Sequence, residues 1–573
     1  LIRPIFRTAL LESLAAAAVV LIIGQFLRQV GTTPAQGVLE IRPTPDAAEL
    51  AWVAQAFAEG RGPLMPIADE LHPSRFAPVH PLLASLWLRV WDGDLATALR
   101  GYSLAAMVLG AVLLHLWLGV AGLSPLGRVV VVAAVLRTPL AIAAARSLLQ
   151  EPTLFLLFAA GGLAWSGGLR LLRDAPRRPV GVCVFGLAGA ILAAFTCIRP
   201  TGAPLLVVAA VDAVWTLGRR PSLGALGALA LGAALVLGAD VIYTLRVAGI
   251  VHLVAYSHWH PHFWGFSWAR PFEPTRDIFH QTQGLRLLRD ALGLTGHLSS
   301  AGVASAIVAL VGIDLLLRFR TAPMRTQAVL LAVFALSQAT AHLFYEFYAT
   351  RFFIAAYPAF LIAGVAGWEA ALRSLWRGER WRRAAVVLAV PALTVLFLGI
   401  GRPWPIAGKL ASEKEWRMTQ AHRANGERVR ALECPLFVDR LPVLNMRLLL
   451  GLGDWPHPIA PLVSSLDLYS DGHSPLFVIG HVAPGRGHIE DPPLWPGDPA
   501  RSFLVDHRGQ VANDGRIERL VAHDGRIAVY GPSWRTDAAG PLRIWAKAHG
   551  LSVHDLSRDP RVRLWVIEQQ TGN

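Results

Sequence analysis

Up to about residue 401 the apolar residues fall into runs of roughly 20, separated by short polar turns, and a run of that length carries an α-helix across about 30 Å of hydrocarbon. About eleven such windows predict spanning helices, at 9–28, 95–120, 127–145, 150–168, 180–198, 200–217, 222–244, 298–317, 325–343, 352–372 and 383–401. The expected fold class is an all-α polytopic membrane protein. Past Arg402 the runs shrink to strand length, as at 435–439, 475–480 and 526–530, with Gly, Pro, Asp and His between them. Residues 402–573 therefore read as a soluble C-terminal domain mixing α and β (an α/β or α+β unit) behind a transmembrane domain over 1–401. One polar interval of the membrane part is long enough to fold on its own account: the first loop, 29–94, where a short amphipathic helix is expected over 47–59.

The first apolar run follows Arg3 and Arg7, as a signal peptide would, but no small-residue cleavage site comes after it, so it is expected to remain as a membrane anchor. Hydrophobic residues make up 54% of the 573 and charged ones 16%, which fits a chain dissolved largely in lipid. A formal charge of +14 invites a nucleic-acid reading. Its arginines, however, sit in small clusters between apolar runs, which is how positive-inside topology distributes them, so nucleic acid is not expected as a partner. The clusters at Arg170, Arg173, Arg177 and Arg178, at Arg219 and Arg220, at Arg318, Arg320 and Arg325, and from Arg373 to Arg383 all fall on one side if the N-terminus is cytoplasmic. The other side then receives the first loop, the turns at Glu151–Pro152 and Arg199–Pro200, the loop near 246–297, the turn at 346–351 and everything after Gly401. Cys183 and Cys197 lie about 21 Å apart along one predicted helix, beyond disulfide reach, and no cysteine framework is expected.

Candidate chemistry gathers on that outer side. Asp46 opens the expected loop helix; a carboxylate there can serve as a general base or can cap the helix at the positive end of its dipole. Glu151, just before Pro152, suits helix initiation, but a carboxylate at the membrane boundary is costly unless it is paired or hydrated. Arg75, Arg199 and Arg351 each stand beside a proline or an aromatic; they can hold a phosphate through bidentate hydrogen bonds or simply snorkel. His258, His260 and His262 have ligand-like spacing, yet no cysteine or carboxylate adjoins them, and the interleaved Trp259 and Trp264 favour an aromatic wall for a lipid or sugar over a metal site. No cofactor is expected. Arg137, Asp212, Asp240 and Asp314, within or near spans, are expected to pair between helices.

The order of these elements resembles a known family. Asp46-Ala47-Ala48-Glu49-Leu50-Ala51-Trp52, Gly60-Arg61-Gly62 and Pro73-Ser74-Arg75-Phe76-Ala77-Pro78-Val79-His80-Pro81 look like the first outer loop of bacterial GT-C glycosyltransferases, polytopic enzymes that use sugars linked to polyprenyl phosphate and are related to protein O-mannosyltransferases and the lipid A aminoarabinose transferase. Leu148-Leu149-Gln150-Glu151-Pro152, Ile198-Arg199-Pro200-Thr201-Gly202, and Thr350-Arg351-Phe352-Phe353 leading to Tyr357-Pro358 continue the resemblance. It implies Asp46 as catalytic base and Glu151 as a second acid. It also implies that Arg75, Arg199, Arg351, His80, Glu49 and His72 face the donor's phosphate and sugar. Ala47 replaces an acid common in relatives, and His80 replaces an aromatic. The implied activity is inverting, metal-independent transfer from a polyprenyl-phosphate-linked sugar to a hydroxyl of a glycolipid, polysaccharide or protein, at the periplasmic face of a bacterial inner membrane. The alternatives are a lipid-linked oligosaccharide transferase and a non-catalytic glycolipid binder or transporter; a transporter usually carries internal repeats, and none is visible.

Overall fold

The computed structural model describes residues 2–32, 45–67, 70–73, 76–91, 95–248, 300–319, 324–343, 350–376, 413–438, 450–452, 457, 459–461, 514–532, 539–558 and 562–569. The chain divides into two compact units, one of Leu1–Pro34, Tyr102–Val241 and Phe263–Lys409, the other of Ala35–Gly101, Ile242–His262 and Leu410–Asn573.

The first unit is helical. Helix α1 runs Ile2–Thr32; after α2 and α3 of the second unit come α4 (Leu95–Val120), α5 (Pro125–Leu136), α6 (Pro139–Arg146), α7 (Glu151–Arg173), α8 (Arg178–Ile198), α9 (Pro204–Thr216), α10 (Arg219–Ala248), α11 (Ser300–Arg318), α12 (Arg325–Leu343) and α13 (Ala356–Trp376). Among the described residues five helices are long and apolar enough to cross a membrane: Ala9–Gly31, Leu95–Val120, Glu151–Arg173, Ala175–Ile198 and Pro221–Arg246. The eleventh window, 383–401, lies outside the described residues, and the helices found at the windows 298–317, 325–343 and 352–372 are not among these five, so the count of eleven is not reproduced here. Two windows differ in shape from their expectation. Residues 127–145 form no straight span but two helices bent by 63°, because Pro139 has no N–H to continue the ladder and biases the residue before it away from helical backbone. Thr138 turns extended there, and its hydroxyl caps α6 by accepting from the Ala141 N–H at 3.0 Å. The window 200–217 holds a 3-10 turn, Pro200–Gly202, and then the 13-residue α9, an apolar helix shorter than a full span.

Close backbone approach holds the unit together where apolar burial cannot drive helix association. On α11 and α13 a Cβ at Gly367 would meet the Gly312 carbonyl oxygen at 1.7 Å, and one at Gly312 would meet that of Gly364 at 2.1 Å, so only glycine permits this crossing. Polar side chains tie further helices. Trp117 donates its indole N–H to Ser166 Oγ at 2.8 Å, and Ser166 hydrogen-bonds Gln327 at 2.7 and 3.0 Å. Trp165 donates to Asp212 at 3.0 Å, and Arg137 to Gln25 at 2.6 Å, both the inter-helix pairing expected of them. Asp314 instead bridges Arg318 at 2.7 Å on its own helix, in an exposed position.

In the second unit α2 (Pro45–Ala58) leads to a hairpin of β1 (Leu64–Ile67) and β2 (Glu70–Pro73), with Ile67 opposite Glu70, and then to α3 (Val79–Leu88). Helix α2 is not amphipathic in its surroundings: Ala47, Leu50, Ala51, Trp52, Val53, Ala54 and Ala56 are all buried, and Glu49 with them. Gln55 and Ala58 are half-buried, so most of the helix surface described is covered and α2 packs as an inner helix more than as a surface one. The C-terminal part adds α14 (Glu413–Leu432), β3 (Leu436–Val438), β4 (Ile459–Pro461), α15 (Asp514–Asp524), β5 (Arg526–Pro532), α16 (Ala539–Ala548), β6 (Leu551–Asp555) and β7 (Val562–Gln569). The strands form one sheet in the order β4-β3-β5-β7-β6, with β3 parallel to β4 and β5, and β7 antiparallel to β5 and β6. Alternation sorts its side chains into two cores. Leu436, Val438, Ala528, Tyr530, Leu564 and Val566 pack with Val429 and Leu432 of α14. Phe437, Ile527, Val529, Trp565 and Ile567 pack with Ile517 and Val521 of α15 and with Leu542 and Ala546 of α16. The strands read from the sequence at 435–439 and 526–530 are β3 and β5; 475–480 lies outside the described residues.

Candidate active site

Three of the residues singled out in the sequence meet in the first unit. Glu151 is the first residue of α7, where Pro152 can stand without losing a helical hydrogen bond, and it is only 2% exposed. Arg199 follows the last residue of α8; Pro200 forces it into extended backbone, φ −144° and ψ 106°, which turns the chain sharply into the 3-10 turn. Arg351 sits in a second 3-10 turn, Thr350–Phe353, that precedes α13. Arg199 donates to Glu151 Oε1 at 3.1 Å, and Arg351 lies 3.7 Å from the same oxygen. The Phe352 ring backs both cations, with the Arg199 guanidinium carbon 4.3 Å and that of Arg351 5.7 Å from its centre.

Among the described residues two guanidinium groups share this one carboxylate at the ends of helices, and taking such groups out of water is costly unless each is well paired. Arg199 is nearly buried, whereas the Arg351 side chain is 25% exposed. The other Glu151 carboxylate oxygen, Oε2, has no hydrogen-bond partner among the described residues. The cluster thus combines a cation that can reach outward, a fixed cation on an aromatic face, and a carboxylate oxygen with acceptor capacity left.

The other candidates belong to the second unit or fall outside the described residues. Asp46 is the second residue of α2, which starts at Pro45, two residues earlier than expected, so it stands inside the first turn and not at the cap. Glu49 is buried within α2. His72 lies on β2 opposite Met65. His80 is buried at the start of α3. All four belong to the second unit. Arg75 and the His258, His260 and His262 stretch lie outside the described residues.

Burial pushes the His80 imidazole down from 6.5 to about 3, so it is a neutral hydrogen-bonding group and not a cation for a phosphate. The unfolded chain binds a proton at His80 below pH 6.5 that the folded chain refuses until about pH 3. Stability from this residue is therefore full above about pH 6.5 and is lost progressively as pH falls toward 3. We expect His80→Leu to remove about 2 kcal/mol of the stability lost between pH 7.5 and pH 5. Thermal unfolding of the purified protein across that range checks it; parallel pH profiles for variant and wild type would contradict it.

Two residues beside the cluster escaped the sequence reading. Gln338 of α12 donates its side-chain amide to the backbone carbonyl of Thr201. One turn later His342, 4% exposed, stacks on Phe352 with 4.9 Å between ring centres. A signal was there: Gln338 and His342 stand at i and i+4 on one face of a largely apolar window, and strongly polar side chains inside membrane helices commonly have a function.

Neither a protein-family model nor a curated protein matches the sequence. Solved structures do match. Crystal structures of ArnT from Cupriavidus metallidurans resemble the chain in the apo state, with 14% identity, a TM-score of 0.54, and coverage of 96% of this chain and 98% of that one. The same protein bound to undecaprenyl phosphate matches with 15% identity, a TM-score of 0.54, and coverage of 96% and 97%. At this identity the likeness is one of fold, and it runs through both the membrane helices and the C-terminal part. The chain shares its fold with these ArnT structures, in line with the architecture expected from the order of Asp46, Glu151, Arg199 and Arg351 along it.

Proposed function

We propose that the protein moves a sugar from a polyprenyl-phosphate-linked donor to an acceptor hydroxyl, with inversion at C1, at the outer face of a bacterial inner membrane. The observation that carries this reading is the cationic cluster: Arg199 and Arg351 on one carboxylate, backed by Phe352, at the end of apolar helices. The phosphodiester of such a donor, and the phosphate monoester it leaves on the isoprenoid tail, need cations at the depth where hydrocarbon ends, and Arg matches their oxygens better than Lys. The fold shared with ArnT, one structure of which holds undecaprenyl phosphate, supports the same donor class.

In this reading the acceptor oxygen attacks C1 as the bond from C1 to the phosphate oxygen breaks. Polyprenyl phosphate leaves with the electron pair, and the acceptor's proton passes to Asp46. Arg351 and Arg199 take up charge as it grows on the departing phosphate, an interaction stronger in the transition state than in the bound donor. Glu151 fixes Arg199 and offers Oε2 to a hydroxyl of sugar or acceptor, and its negative charge also favours a ring with oxocarbenium character. The acceptor is a glycolipid, polysaccharide or protein hydroxyl.

Mass spectrometry of lipids that co-purify with the protein tests the reading. A polyprenyl phosphate bearing a single sugar is expected, and Arg351→Ala should deplete it. A diphosphate-linked oligosaccharide in its place would turn the assignment to oligosaccharide transfer. Absence of any polyprenyl lipid would remove the donor class.

A further inference from the structure

We infer that His342 is a positioning residue for Arg199, acting through the ring of Phe352; the inference rests on the donor-phosphate role proposed for that arginine. Helix α12 touches the Arg199 segment from two directions. Gln338 holds the backbone just after it, through the Thr201 carbonyl. His342 holds the surface beneath its side chain: the imidazole lies 29° from parallel to Phe352 at 4.9 Å and meets Phe353 edge-on at 5.7 Å, 72° between planes. Phe353 is fully buried, so it anchors the imidazole against the core, while Phe352 is half-buried and forms the wall facing the cations.

The need for such a device follows from the geometry. An arginine side chain has several rotatable bonds, and holding it in one rotamer costs roughly 2 kcal/mol of entropy unless a planar partner limits its choices. Arg199 must satisfy Glu151 and keep a fixed guanidinium plane for a phosphate. The aromatic support it has among the described residues, Phe352, stands in a short 3-10 turn and not in a long helix or a sheet. The imidazole supplies that fixation from a packed helix. A flat ring is what the stack requires; a branched aliphatic side chain of similar volume fills the space without presenting a face. A cationic side chain at this position would stand beside Arg199 and Arg351 and weaken both.

Two variants separate these properties: His342→Leu keeps the buried volume, and His342→Phe keeps the ring. The first readout is binding of undecaprenyl phosphate to purified protein in detergent. The second needs no ligand. It is the thermodynamic coupling between Glu151→Gln and Arg199→Ala, obtained by thermal unfolding of the single and double variants, with His342 intact and with each substitution. We expect His342→Leu to weaken undecaprenyl phosphate binding by at least about tenfold and to abolish most of the coupling. His342→Phe should keep both close to wild type. Unchanged coupling in folded His342→Leu protein would overturn the inference, as would loss of coupling in His342→Phe as large as in His342→Leu. If wild-type protein fails to bind undecaprenyl phosphate, the donor reading falls, and the coupling alone still decides whether His342 positions Arg199.

Discussion

Arg199→Ala is expected to destabilise the protein by about 3 to 5 kcal/mol and to abolish donor binding, and Glu151→Gln in the same chain should restore most of the stability but none of the binding. The size follows from what the first substitution leaves behind. Glu151 is 2% exposed, and a buried carboxylate stripped of its closest cation costs about 3 to 5 kcal/mol. Arg351 remains 3.7 Å away and holds the loss toward the lower figure. Converting Glu151 to a neutral amide removes the uncompensated charge, so stability returns. Binding does not, because the cation proposed to face the phosphate is still missing. Chemical or thermal unfolding in detergent, run beside undecaprenyl phosphate binding, reads both. If the double variant is no more stable than Arg199→Ala alone, Arg199 matters through its packing on Phe352 and not through its charge.

Why these residues could be read from the sequence, and others could not, is a matter of local against non-local information. Glu151 beside Pro152 and Arg199 beside Pro200 mark helix ends, and helix ends in a polytopic chain fall at the membrane surface, so their depth was legible. Their meeting depends on how α7, α8 and the turn before α13 pack, which no spacing encodes. The task of His342 was hidden for the same reason: the sequence shows it as one of several polar residues, with Ser337, Gln338 and Thr340, in the last turns of α12, and only the turn carrying Phe352 gives it a role. The strands β3 and β5 were legible because a buried strand is a short apolar run. The break between α5 and α6 was missed although Arg137-Thr138-Pro139 announces it, because the apolar residues on both sides keep the average over 127–145 high and a length rule does not see a proline. Helix α2 misled in the opposite sense: its Glu49 and Gln55 suggested a wet face, whereas the unit buries Glu49 completely.

For Asp46→Asn we expect turnover to fall by about 10²- to 10⁴-fold, the contribution of a positioned general base, with donor binding intact and stability lower by less than about 1 kcal/mol. The pairing of a large kinetic loss with a small thermodynamic one is what separates the two readings of this residue. As the second residue of α2, Asp46 sits where a carboxylate interacts favourably with the helix dipole, and that interaction is worth about 0.3 to 1 kcal/mol. Asparagine has the same shape, keeps a side-chain oxygen for backbone N–H groups, and gives up only the charge. If Asp46 does no more than start the helix, the variant loses a few tenths of a kcal/mol and transfers sugar at the wild-type rate. If Asp46 takes the acceptor's proton, the amide cannot replace it, since an amide oxygen is far too weak a base at neutral pH. The donor should then accumulate on the protein unconsumed, and the sugar-bearing lipid that co-purifies with the variant should exceed that on wild type. Normal turnover together with a small stability loss would leave Asp46 as a helix residue and move the search for the base to another carboxylate.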